Sequence, residues 1–62
     1  LGYSVYEYIT SLRISKAKEL LSNRRLEIQA IAHQVGFEDA SHFTVMFRKM
    51  TGMTPGEFRV IS

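Results

Sequence analysis

Apolar residues recur at three- and four-residue intervals along nearly the whole chain. The runs are interrupted at only a few points: Gly2, Ser22-Asn23, Gly36, Gly52 and Pro55-Gly56. No stretch sustains the apolar–polar alternation of a half-buried strand, so the expected fold is all-α. With 62 residues, the segments between these interruptions make one small domain at most. That length leaves no room for a conventional enzyme scaffold with its own substrate pocket, and no enzymatic activity is expected. The absence of cysteine excludes a disulfide framework and thiolate metal sites, and it fits a reducing, cytoplasmic setting. No apolar run approaches the roughly 18 residues of a membrane span, and no charged-then-apolar leader opens the chain, so no membrane role is expected. A hydrophobic share of 45% beside 23% charged residues belongs to a folding chain, not a disordered one.

The spacing predicts a first helix over 4–22. Ser4 can cap the free amides of its first turn and Glu7 can reach back, completing a capping box. Asn23 can take the left-handed conformation that ends it. Val5, Tyr8, Ile9 and Leu12 form one apolar stripe, while Ile14, Ala17, Leu20 and Leu21 form a second, rotated by roughly 140°. A helix with two differently aimed apolar faces wants two partners, and the remaining residues can supply only one.

A short second helix follows from Ile28, Ile31, Ala32 and Val35, which share one face and stop at Gly36. Its start is vague because no Ser, Thr or Asp precedes it. The third helix begins after Asp39, a good N-cap, and runs to about Thr51 before Gly52, with Phe43, Met46, Phe47 and Met50 as its apolar stripe. Met46 and Met50 read as gap-fillers of the core. A last helix over 54–61 opens with Thr54 as cap, Pro55 at the first helical position and Glu57 closing the box.

The two ends of the chain resemble each other. Gly2-Tyr3-Ser4-Val5-Tyr6-Glu7-Tyr8 aligns with Gly52-Met53-Thr54-Pro55-Gly56-Glu57-Phe58 at a constant offset. Two helix starts sharing a capping box would produce much of this likeness. An internal repeat of supersecondary units would produce it too, with Gly2 closing an earlier unit. The unpartnered stripe on the first helix independently agrees with the repeat, so the chain is read as the second half of a tandem.

Residues 28–51 are the informative stretch. Ala32 is small where two helices must approach, Gly36 can take the positive φ that most residues resist, and Phe37 can plug the corner. This is the pattern of a helix-turn-helix, although a generic α-hairpin spaces its residues similarly. The outer face of the third helix discriminates further. Ser41, Thr44, Val45 and Arg48 lie opposite Phe43, Phe47 and Met50, with His42 and Lys49 on one flank and Ala40 at the tip. An ordinary solvated face would carry Glu, Lys and Gln. Small residues admit close approach to base edges, hydroxyls bond bases or phosphates, an exposed valine suits a thymine methyl, and Arg48 and Lys49 suit phosphates. Charge is distributed compatibly: residues 1–26 carry a net +3, residues 27–47 a net −3 and residues 48–62 a net +2. Basic ends around an acidic middle suit an anionic polymer such as double-stranded DNA.

Arg13-Ile14, Ala17, Leu20-Leu21, Ile28, Ile31-Ala32, Val35-Gly36-Phe37, Asp39, Ser41, Phe43, Phe47-Arg48-Lys49, Gly52, Thr54-Pro55 and Phe58-Arg59 together resemble the AraC/XylS-type transcription regulators, over the whole chain. The resemblance implies a homeodomain-like three-helical architecture: a long linker helix, a helix-turn-helix unit and a short C-terminal helix, forming half of a tandem. It places Tyr8 to Leu21 in the linking helix and residues 28–51 in the second unit, and it leaves the first unit outside the chain. It implies sequence-specific DNA binding in transcription regulation, with the third helix in the major groove and RNA polymerase as a further partner. Its base-reading positions fall on Ala40, Ser41, His42, Thr44 and Val45. Several members carry a long polar or basic residue where Val45 stands, so a methyl contact is favoured there over hydrogen-bonded readout. His42 stands where an aromatic is common.

Other chemistries find little support. His33 and His42 have no cysteine or suitably placed carboxylate to complete a metal site, and His33 reads as a surface residue. Asp39, Ser41 and His42 point in different directions on one helix, so they do not form a catalytic triad. No cofactor is implied. The competing functional class is a helical protein-interaction module, docking a partner through the stripe of Val5, Tyr8, Ile9 and Leu12.

Overall fold

Four helices follow one another in the computed structural model, which describes residues 4–62. They are α1 (Val5–Leu21), α2 (Ile28–Gln34), α3 (Ala40–Thr51) and α4 (Pro55–Ile61), and no strand occurs among the described residues. The Gly2-Tyr3 part of the terminal repeat lies outside the described residues.

The helix starts are set by side chains. Ser4 Oγ accepts from the Glu7 amide at 3.1 Å while Glu7 Oε1 accepts from the Ser4 amide at 3.0 Å. Thr54 and Glu57 repeat the arrangement at the head of α4, at 3.2 and 2.9 Å. The Ser4 backbone and side-chain hydrogen bonds hold the Glu7 carboxyl below the ordinary glutamate range, with Lys49 adding a smaller push. Bonds from Thr54 do the same for Glu57, with Arg48 as the lesser contributor. Asp39 Oδ1 accepts from the His42 amide at 2.7 Å and opens α3, whereas α2 starts at Glu27 without a side-chain cap.

The end of α1 corrects one expectation. Asn23 does not turn left-handed; among the described residues only Gly36 and Gly52 have positive φ. The carbonyls are satisfied instead from α4. Arg59 Nε donates to Leu21 O at 3.1 Å, and its Nη2 donates to Asn23 O at 3.3 Å and to Leu26 O at 2.7 Å. With a guanidinium bonding that corner, no left-handed cap is required. Asn23 Oδ1 meanwhile accepts from the Arg25 amide at 3.1 Å, tightening the loop toward α2.

The core draws Ile14, Ala17 and Leu21 from α1, Ile31, Ala32 and Val35 from α2 and its C-cap, Phe37 from the turn, and Phe43 and Phe47 from α3. Aromatic rings run through it in a row: Phe37 to Phe43 at 5.4 Å, Phe43 to Phe47 at 5.6 Å, and Phe47 to Phe58 of α4 at 5.5 Å. Phe43 and Phe47 are fully buried. Truncating either to alanine costs about 3–5 kcal/mol, as much as a core this small supplies in total.

Two further positions depart from the apolar pattern. The stripe of α3 places Met50 in the core, yet it is exposed, because the last turn of α3 lies beside the first turns of α1, where Met50 borders an open cleft with Tyr6, Glu7, Met46 and Lys49. Met46, one turn earlier, packs against the core. Thr10, which belongs to neither apolar stripe of α1, is buried. The stripe of Val5, Tyr8, Ile9 and Leu12 stays exposed, Val5 to 77%.

Candidate nucleic-acid interface

The turn between α2 and α3 aims the third helix. The Gly36 amide donates to His33 O at 3.1 Å and the Phe37 amide donates to Ala32 O at 2.9 Å, closing the end of α2. Gly36 holds φ at +108°, a conformation that side chains resist. Ala32 is fully buried, and Phe37 turns inward beneath the corner. His33 Nε2 lies 3.0 Å from Glu38 O, tying the exposed side of α2 to the far side of the turn.

With Phe43 and Phe47 directed into the core, helical periodicity leaves Ser41, Val45 and Arg48 together on the opposite, exposed face of α3. Val45 is 62% exposed. Thr44 borders this face half-buried, and Ala40 sits half-buried at the tip. Two exposed residues of the expected set also have neighbours on the protein itself. His42 meets Phe37 edge-on, ring centroids 5.3 Å apart and planes at 82°. Lys49 stands at the cleft beside Tyr6 and Glu7 of α1. Among the described residues the one ion pair within 4 Å is Lys16–Glu19, at 3.7 Å, so neither Arg48 nor Lys49 is held by a carboxylate at that distance.

Sequence reasoning overlooked two residues that support this arrangement. Arg13 of α1 lies over Phe37, its Cζ 5.9 Å from the ring centroid. It stands one turn before buried Ala17, a position that helical spacing could have flagged. Arg59, named only for its charge and within the family resemblance, has no such local signal for its role, because its three carbonyl partners are 33 to 38 residues away.

A family described as a helix-turn-helix domain matches residues 1–60. The chain belongs to the AraC/XylS-type helix-turn-helix family. Similar proteins include the arabinose operon regulatory protein of Salmonella typhimurium strain LT2, 46% identical over 59 residues, which cover 95% of this chain and 21% of that protein. The HTH-type transcriptional activator RhaR of Salmonella arizonae is 41% identical over 61 residues, covering 98% of this chain and 22% of that protein. RhaR of Salmonella newport matches at the same identity and coverage. The chain thus spans about a fifth of the length of these curated relatives. No solved structure matches it. As an AraC/XylS-type domain it is a DNA-binding module of transcription regulation. Within the described residues no helix is long and apolar enough to cross a membrane.

Proposed function

We propose that this chain is the second helix-turn-helix unit of a longer, sequence-specific transcription regulator, and that α3 enters the major groove of double-stranded DNA. One observation carries the reading: Ser41, Val45 and Arg48 share an exposed face of α3 directly opposite fully buried Phe43 and Phe47. Ala40 at the tip permits close approach. Ser41, His42 and Thr44 reach base edges or nearby phosphates, Val45 meets a thymine methyl, and Arg48 and Lys49 hold the backbone. Residues 28–51 form the unit, 4–22 the linker helix and 54–61 the short closing helix.

The exposed stripe of α1 is the seat of the first helix-turn-helix unit of the same longer protein. The two capping boxes support this. After the second box, Phe58 packs on Phe47; after the first, Tyr8 stands exposed, with no such ring contact among the described residues. RNA polymerase is a further partner of the whole regulator, in keeping with the activators among its relatives. The same stripe favours a second reading, a helical interaction module that needs no DNA.

Salt separates the two. If three phosphates are engaged, raising salt fourfold weakens DNA binding by about 40-fold, whereas an apolar helix interface hardly responds. Binding of Val45→Ala and Arg48→Ala to a preferred and a random duplex, across a salt series, tests the orientation of α3. Val45→Ala should cost about 1 kcal/mol on the preferred duplex and almost nothing on random DNA. Arg48→Ala should weaken both alike and reduce the salt slope by roughly one unit. Equal losses for Val45→Ala on both duplexes, or a changed base preference for Arg48→Ala, would refute that orientation.

A further inference from the structure

Arg13 reaches the reading helix from a helix that lies outside the proposed helix-turn-helix unit. It crosses from α1 to the turn so closely that a Cβ on Gly36 would lie 2.9 Å from its Nε. Its guanidinium carbon stands 5.9 Å from the centre of the Phe37 ring. That ring also receives the His42 edge at 5.3 Å and touches Phe43 at 5.4 Å. Arg13, Phe37 and His42 line one open cleft of about 390 Å³, together with Glu38 and Asp39, whose carboxylates favour a guanidinium there. Within 4 Å, however, no carboxylate pairs with Arg13 among the described residues. Its seat is therefore the aromatic face and the bare backbone of Gly36.

We infer that Arg13 is a positioning residue for DNA readout: by clamping Phe37 from α1, it sets where the first two turns of α3 present Ser41, His42 and Val45 to the bases. This role rests on the DNA-binding reading above. Phe43 and Phe47 anchor the middle of α3, but the placement of its N-terminal end depends on the Asp39 cap and on Phe37 beneath His42. Base recognition is sensitive to small displacements, because hydrogen bonds weaken steeply with misalignment. A planar guanidinium stacks on a ring in a way an ammonium does not, so lysine replaces only part of the clamp.

The test uses a duplex selected by the wild-type chain from a randomised pool, beside a scrambled duplex of the same composition. Arg13→Ala and Arg13→Met should narrow the ratio of the two affinities by about fivefold, the scale of one weakened base contact, and Arg13→Lys should recover part of it. The salt slope should stay unchanged. In the DNA-free protein, Arg13→Met should shift the amide resonances of residues 41–45 and leave those of residues 55–61 in place. Equal weakening on both duplexes with a reduced salt slope would make Arg13 a direct phosphate contact and overturn the role. A lowered melting temperature with discrimination intact would make it a structural prop and overturn the role equally. A wild-type chain that prefers no duplex would overturn the DNA reading and this role together; resonance shifts without lost discrimination would overturn this role alone.

Discussion

Gly36 is the residue whose replacement most directly probes the turn that aims α3. At φ +108° an added side chain imposes backbone strain of about 1–3 kcal/mol. The new Cβ would also stand 2.9 Å from Arg13 Nε and 3.1 Å from its Cζ. Because these atoms end a flexible side chain, they move aside, and the cost is the displaced contact with Phe37, about 0.5–1 kcal/mol. Gly36→Ala should therefore destabilise by about 1.5–4 kcal/mol in all, and the branched Gly36→Val by more. Gly52 provides the control, since its φ is +84° but nothing lies within 4 Å of an added Cβ. Gly52→Ala should cost only its backbone share, roughly 1–2 kcal/mol. At about 4–8 °C per kcal/mol for a domain this size, Gly36→Ala should lower Tm by about 6–32 °C and Gly52→Ala by about 4–16 °C. Gly36→Val should leave little folded protein, while Ser41→Ala on the outer face should melt like wild type. Thermal melts followed by far-UV circular dichroism read all four. Equal melting of Gly36→Val and Ser41→Ala would refute the placement of the turn. If Arg13→Ala does not reduce the cost of Gly36→Ala, the seating of Arg13 over the turn is refuted as well.

Arg59→Ala removes the donor to three carbonyls at the α1–α2 corner and should cost about 1–3 kcal/mol in urea titrations, with Arg59→Lys recovering only part. An Arg59→Ala variant as stable as wild type would refute its role as the cap of α1. Glu7 and Glu57 have folded-state pKa values below the ordinary glutamate range. Their contribution is thus fully present above the unfolded pKa of about 4.3 and is lost as pH falls through the lowered folded values. Glu57→Gln should accordingly flatten the acid limb of the stability profile; an unchanged limb would contradict the coupling. The chain alone should bind duplex DNA more weakly than the about 10⁻⁸–10⁻¹¹ M of complete regulators, and nanomolar specific binding in a titration would contradict that expectation.

Most features governed by near neighbours could be read from the chain before its tertiary structure. Ser4 with Glu7 and Thr54 with Glu57 are three residues apart, so their capping boxes were legible before any packing was known. The same holds for Asp39 as the cap of α3, for positive φ at Gly36, and for burial of Phe43 and Phe47 opposite Ser41, Val45 and Arg48. Each follows from hydrogen-bond reach or from a period of 3.6 residues. The tertiary structure alone decided where long side chains go once helices meet. It turned His42 toward Phe37 and Lys49 toward α1, left Met50 in solvent, seated Arg13 over the turn and sent Arg59 to carbonyls more than thirty residues away. It also made Asn23 unnecessary as a left-handed cap. The difference is one of range: a cap or a periodic face is set within one or two turns of chain, whereas a guanidinium's partner depends on how distant helices pack.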